Sequence, residues 1–239
     1  MAVKNGKKRY LFSIRLFQVG VSVFFLVILI IVWPRLWSWL NQPIASVEVH
    51  APFQYVKREK VEVMLEPYLR SRFFQLSLTK IRSFLLSKPW VKEVSLKKEW
   101  PDKLVVSLEE QEPVARWHEF YLITGEGHVF MPVDISLFDQ MPLLKGPDDK
   151  AQEVMQQYLA ISQLLRPLGL MVIEIELGRT GAWSFNVSGV QVGIGADLRM
   201  ERLQRFVRLY HARLEPKWKY VKRIDLRYSN GAAVAWDNE

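Results

Sequence analysis

The sequence predicts an α+β protein: a single N-terminal transmembrane helix, a β-α-α-β-β domain, then a β-rich domain with antiparallel strands and two helices. Three observations lead there. An uncharged apolar run covers Leu16–Trp33, the next segment reads strand–helix–helix–strand–strand, and the remainder alternates short strands with two helical stripes. The expected partition is 1–15 tail, 16–34 membrane helix, 35–43 linker, 44–112 first exterior domain and 113–239 second.

At 1.5 Å per residue the run Leu16–Trp33 spans roughly 27 Å, close to the hydrocarbon thickness of a bilayer. A helix satisfies every backbone polar group there without water. Pro34 and Arg35 end the run, and Trp33, Trp37 and Trp39 form the aromatic cluster expected at a membrane–water boundary. Lys4, Lys7, Lys8, Arg9 and Arg15 precede the span and only Arg35 closely follows it, which places the N-terminus in the cytoplasm and the bulk outside. A cleaved signal peptide fits less well, because bulky Trp and Leu occupy the stretch where small cleavage residues belong.

Of 239 residues, none is Cys, so thiol nucleophiles, thiolate zinc sites and disulfides are excluded. The net charge of +8, part of it in the N-terminal tail, suits anionic lipid or an acidic partner; for an anchored exterior domain, nucleic acid is disfavoured.

In the first exterior domain, Ile44, Val47 and Val49 read as a strand. Val61, Met64, Leu65, Tyr68 and Leu69 recur at helical spacing, with Pro67 near the end. Leu78, Ile81 and Leu85 line a second helix, with Ser77 or Thr79 as N-cap. Two strands follow, the first carrying Trp90, Val91, Val94 and Leu96 on its apolar side and the second Leu104, Val106 and Leu108, joined by a Trp100-Pro101-Asp102 turn. Trp90, Trp100 and Pro101 are expected as core and turn residues, and Lys92, Lys97 and Lys98 as a solvated strand face.

The run from Pro89 through Trp90-Val91-Lys92, Trp100-Pro101-Asp102 and Glu112-Pro113-Val114-Ala115 resembles the POTRA domain of the FtsQ/DivIB cell-division family in order and spacing. The resemblance implies a POTRA-like fold for this domain.

In the second domain, Tyr121–Ile123 and His128–Phe130 flank a Gly-containing hairpin loop. Val154, Tyr158, Ile161 and Leu165 give a helix ended by Pro167, with Asp149 and Gln152 as a capping box. Strands carrying Ile173, Ile175, Leu177, then Trp183, Phe185, Val187, then Val190, Val192, Ile194 follow, with a tight turn at Ser188-Gly189. A further helix turns Leu203, Phe206, Val207 and Tyr210 inward and Arg202, Arg205, Arg208 and Arg213 outward, with Asp197 as its expected N-cap. Finally, Ile224, Leu226 and Tyr228 share one side of a strand, joined through an Asn230-Gly231 turn to Ala232, Val234 and Trp236. The segment Arg223–Trp236 resembles the family's C-terminal signature, so the resemblance extends over nearly the whole chain.

Catalytic motifs are scarce. His50, His118, His128 and His211 lie in no metal-ligand spacing, and Gly193-Ile194-Gly195 lacks the third glycine and the Lys-Ser/Thr of a nucleotide loop, so it reads as a strand-to-helix turn. The sequence predicts no catalytic residue, no metal, no cofactor and no small-molecule substrate. A membrane-tethered cell-wall enzyme is the disfavoured rival. A POTRA domain of an outer-membrane barrel protein does not fit the anchor.

A terminal strand of Gly-Ala-Ala-Val-Ala carries neither Lys nor Pro, so at a sheet edge it offers backbone groups to an added strand. The resemblance implies what it receives: family members bind FtsB, which is paired with FtsL, and help control septal peptidoglycan synthesis with other divisome proteins at the inner membrane. By position, Tyr228 and Trp236 become aromatic anchors, with Ser229, Asn230, Gly231, Ala232 and Val234 shaping the turn and strand. Arg179, before Trp183, is the candidate for pairing with an acidic partner residue, at a spacing that departs slightly from the family's. The alternative is a bitopic periplasmic docking scaffold of another envelope-assembly or secretion machine.

Overall fold

The computed structural model describes residues 4–196 and 200–237, with side chains from Gly20, and the chain separates into two compact units. The first runs through Ser87 and resumes at Val91–Glu110; the second takes Lys88–Trp90 and everything from Gln111.

Helix α1, Lys4–Leu40, is longer than the apolar run. Its portion Gly20–Leu40 is long and apolar enough to cross a membrane. Pro34 removes one N–H and so frees one carbonyl a turn earlier, yet it does not stop the helix. The six residues after it, expected in a linker, remain helical because they have partners. Trp37 stacks on Phe74 at 5.6 Å between centroids, and Trp39 meets Trp100 edge-on at 4.8 Å.

In this unit β1 (Ser46–His50), α2 (Arg58–Leu69), α3 (Leu78–Leu86), β2 (Val91–Glu99) and β3 (Lys103–Glu110) follow in the predicted order. The sheet order is β1-β3-β2, with β1 parallel and β2 antiparallel to β3. Val61, Leu65, Ile81 and Leu85 from the helices close over Val49, Val94, Leu104 and Val106. Ser77 caps α3, its hydroxyl accepting from the Lys80 amide at 3.4 Å.

Two expectations here need correcting. Trp100 is half exposed, because its ring covers the end of α1 rather than entering the core. Trp90 belongs to the second unit, beside Phe130 and Phe138 at 5.1 and 5.7 Å. Lys98 is also less solvated than its neighbours on the basic strand. Its ammonium donates to the Phe73 carbonyl at 2.7 Å, and burial pushes its pKa down.

An unanticipated residue organises the loop before α2. Glu110 is buried, and its carboxylate accepts three backbone N–H groups, from Gln54 (3.0 Å), Tyr55 (2.9 Å) and Val56 (3.1 Å).

The second unit is built on one nine-stranded sheet. Its strands are β4 (Pro113–Trp117), β5 (Tyr121–Thr124), β6 (Val129–Phe130), β7 (Leu143–Lys145), β8 (Val172–Leu177), β9 (Trp183–Val187), β10 (Val190–Gly195), β11 (Val221–Asp225) and β12 (Ala233–Trp236). Their spatial order is β12-β11-β10-β9-β8-β7-β4-β5-β6. Helices α4 (Ala151–Leu165) and α5 (Met200–Leu209) connect β7 to β8 and β10 to β11, and both of these strand pairs are parallel. The sheet is therefore mixed, its antiparallel hairpins alternating with crossovers that need a helix. Phe185, Phe206, Tyr210 and Ile224 belong to its single continuous core.

The expected capping box does not form, because a short turn at Asp148–Lys150 precedes α4 and absorbs Asp149. In β8 a register shift between Val172 and Glu174 turns Val172 inward and leaves Ile173 exposed, reversing the expected alternation at that end. Asp197 lies outside the described residues. The Ser188-Gly189 turn is as expected, with φ of 48° and 90°, the paired positive values that a two-residue hairpin demands.

Candidate functional site

Strand β12 ends the sheet order, so one side of its backbone has no strand partner among the described residues. On the other side it pairs antiparallel with β11, in the register Ile224↔Val234 and Asp225↔Ala233. Val234 and Ala232 lean on the core, whereas Trp236 is 45% and Tyr228 60% exposed. Both aromatic rings are thus outside the core that a purely structural role would require.

The connection between β11 and β12 is wider than the expected two-residue turn. Neither Asn230 nor Gly231 adopts a positive φ. Two contacts hold the loop open. Leu226, fully buried, donates its N–H to the Gly193 carbonyl at 2.8 Å and so prolongs the pairing with β10. From α5, Arg205 Nη1 donates to the carbonyls of Tyr228 (2.6 Å) and Gly231 (3.2 Å). The resulting loop frames a shallow depression of about 450 Å³ lined by Tyr228, Ser229, Asn230, Gly231, Ala232 and Ala233.

Two of the four arginines expected to face outward from the helix after β10 have structural partners, whereas Arg208 and Arg213 are exposed as expected. Arg202 and Arg205 are half-buried, and Arg202 Nη1 donates to the Ile194 carbonyl at 2.6 Å. Arg227 grips Asp225 with Nε at 3.0 Å from both oxygens and Nη2 at 2.6 Å from Oδ2, and this lowers the Asp225 pKa. Gly195 allows the packing: its φ is 96°, and a Cβ there would meet Arg227 Cγ at 3.1 Å and Arg202 Nη1 at 3.2 Å. The spacing of Arg205 to the α5 core residues Leu203 and Phe206 hid its role. Only the fold brings it over a loop more than twenty residues away.

Replacing Arg205 by Ala is expected to destabilise the second unit by about 1.5 kcal/mol, the low end for hydrogen bonds from a charged donor. Faster amide exchange confined to residues 228–231 would check it, and uniform exchange with an unchanged denaturation midpoint would contradict it.

Arg179 is not brought to this loop. It sits in the β8–β9 connection, with β11 and β10 between β12 and that hairpin, and borders a separate cleft of about 420 Å³ with His118, Lys145 and Glu176. Among the described residues no group of three or more His, Asp or Glu is arranged to hold a metal.

Two family profiles match the chain, "POTRA domain, FtsQ-type" over residues 42–111 and "Cell division protein FtsQ/DivIB, C-terminal" over residues 115–227. The cell division protein FtsQ of Coxiella burnetii is 32% identical over 82% of this chain and 81% of its own length. The chain belongs to the FtsQ/DivIB family. Proteins of the same name from Cellvibrio japonicus and Xanthomonas campestris are each 36% identical, over 82% and 80% of this chain. The match covers 62% of the Cellvibrio protein's length and 69% of the Xanthomonas one. The first unit is thus an FtsQ-type POTRA domain, and the second carries the FtsQ/DivIB C-terminal domain. The chain is thus a cell division protein of this family, and among the described residues one helix is long and apolar enough to cross a membrane. The C-terminal profile stops at Arg227, so Tyr228 and β12 lie just beyond the matched residues.

Proposed function

We propose that this chain is a non-catalytic divisome scaffold that captures the FtsB–FtsL pair at its C-terminal sheet edge and helps control septal peptidoglycan synthesis. The single observation that carries the reading is β12, an open edge without Lys or Pro, flanked by two exposed aromatic rings. An extended partner segment adds a strand there. Backbone hydrogen bonds supply attraction, and Tyr228 and Trp236 supply anchors whose area is lost from water on binding. Ser229, Asn230 and Gly231 line the depression beside Tyr228, and the small Ala232 and Val234 permit close approach. Topology completes the scheme: residues 1–15 in the cytoplasm, both folded units in the periplasm, and the chain concentrated at the septum. The partners span the same inner membrane, and confinement to one surface raises their effective concentration.

Photo-crosslinking side chains placed at positions 228 and 236 in dividing cells test the proposal. FtsB identified by mass spectrometry at both positions is the expected product. Crosslinks to FtsB only from positions away from β12, or an even distribution of the protein around the membrane, would contradict the reading.

A further inference from the structure

The end of α1 and the POTRA domain share an aromatic surface that the proposed partner edge does not use. Trp37, Trp39, Phe74 and Trp100 are each 45–53% exposed, although Trp37 stacks on Phe74 and Trp39 meets Trp100. The connection behind these rings is built into the domain. Asn41, 3% exposed, donates its N–H to the Trp37 carbonyl at 2.9 Å and accepts the Phe74 N–H on Oδ1 at 3.1 Å. Gln42 accepts from the Phe73 N–H at 2.9 Å, Pro43 bridges to Arg72, and Ile44 donates to Ser71. The helix therefore continues into the domain through paired backbone.

Height along the helix decides what covers these rings. If Trp33 marks the hydrocarbon boundary, Trp37 and Trp39 stand about 6 and 9 Å beyond it at 1.5 Å per residue. A headgroup layer is about 5–7 Å thick on each side, so the Trp37–Phe74 pair lies within it and the Trp39–Trp100 pair at its outer edge. Aromatic rings favour this layer, where an apolar face is buried and a polar edge stays wet. Exposed Arg70 and Arg72 shortly precede Phe74 in sequence and suit lipid phosphates.

We propose that the POTRA domain rests on the bilayer from which its helix emerges, with Phe74 seated among the lipid headgroups beside Trp37, and Trp100 at their outer edge beside Trp39. The occupant is lipid rather than a protein partner, because the same rings pack on the membrane helix within a few ångströms of its exit.

The chain contains no Cys, so a single introduced thiol takes a nitroxide label uniquely. The full chain is placed in phosphatidylethanolamine–phosphatidylglycerol nanodiscs with a label at Phe74→Cys or Trp100→Cys. Glu109→Cys, at the exposed far end of β3 and roughly 20 Å along the strand from Lys103, is the aqueous reference. Gln75→Cys leaves all four rings intact and reports in their place if circular dichroism shows either ring variant misfolded. The expected result is loss of accessibility to a water-soluble nickel chelate, with a gain for oxygen, at 74 and 100 relative to 109. Equal nickel accessibility at all of these positions overturns the proposal and leaves the aromatic face for a protein.

Discussion

Replacing Trp236 or Tyr228 by Ala is expected to weaken the proposed FtsB capture about 30-fold each, the equivalent of about 2 kcal/mol for a lost aromatic anchor. The fold should survive both changes. Each ring is roughly half exposed in the free protein, so truncation removes little packing, and surface substitutions usually change stability by about 0.5 kcal/mol or less. Binding is not abolished, since the backbone of β12 still offers its edge. The two measurements separate an anchor from a core residue: titration with the exterior part of FtsB reads the first, and thermal unfolding followed by circular dichroism reads the second. Unchanged affinity with a lowered midpoint would remove these residues from the interface.

The larger stability effect belongs to Glu110. Its conversion to Ala is expected to cost about 3 kcal/mol, because each hydrogen bond to a charged acceptor contributes about 1.5–3 kcal/mol and these shared ones do not sum. The backbone amides of Gln54, Tyr55 and Val56 lose their acceptor together, and their hydrogen exchange should accelerate while that of β12 stays the same. Glu110→Gln keeps one carbonyl oxygen in place and should fall between. Amide exchange on the full chain checks both variants, and protection retained at all three amides in Glu110→Ala would refute the assignment.

Period-two and period-3.6 patterns made the POTRA unit legible, because its strands and helices are long enough to repeat. The same pattern carried an unused signal. Leu104, Val106 and Leu108 face inward, so the next position on that face is Glu110, a buried carboxylate aimed at the backbone of the loop before α2. In the second domain β4 and β7 escaped detection. They are short, and their parallel pairing joins segments far apart in the chain. The exposed side of Ile173 depends on a bulge, which alternation along one strand does not encode.

At the candidate site the chemistry of the edge was readable, from the missing Lys and Pro and the flanking aromatics. The shape of its loop was not. Asn230-Gly231 has the composition of a tight turn, but the buried Leu226 and the reach of Arg205 outweigh that local preference. Pro34 is a similar case: its local tendency to end a helix yields to ring contacts made several residues later.

The paired backbone at Asn41–Ile44 also has a mechanical consequence. A flexible tether would let the membrane helix spin or tilt without moving what it carries. Here hydrogen bonds at Asn41, Gln42 and Ile44 tie the helix to the domain, so a change of helix tilt is expected to carry the POTRA domain with it. A neighbouring membrane helix that packs against α1 and shifts its tilt by a few degrees would thereby swing the far side of the domain through a larger arc. The bilayer becomes the fulcrum.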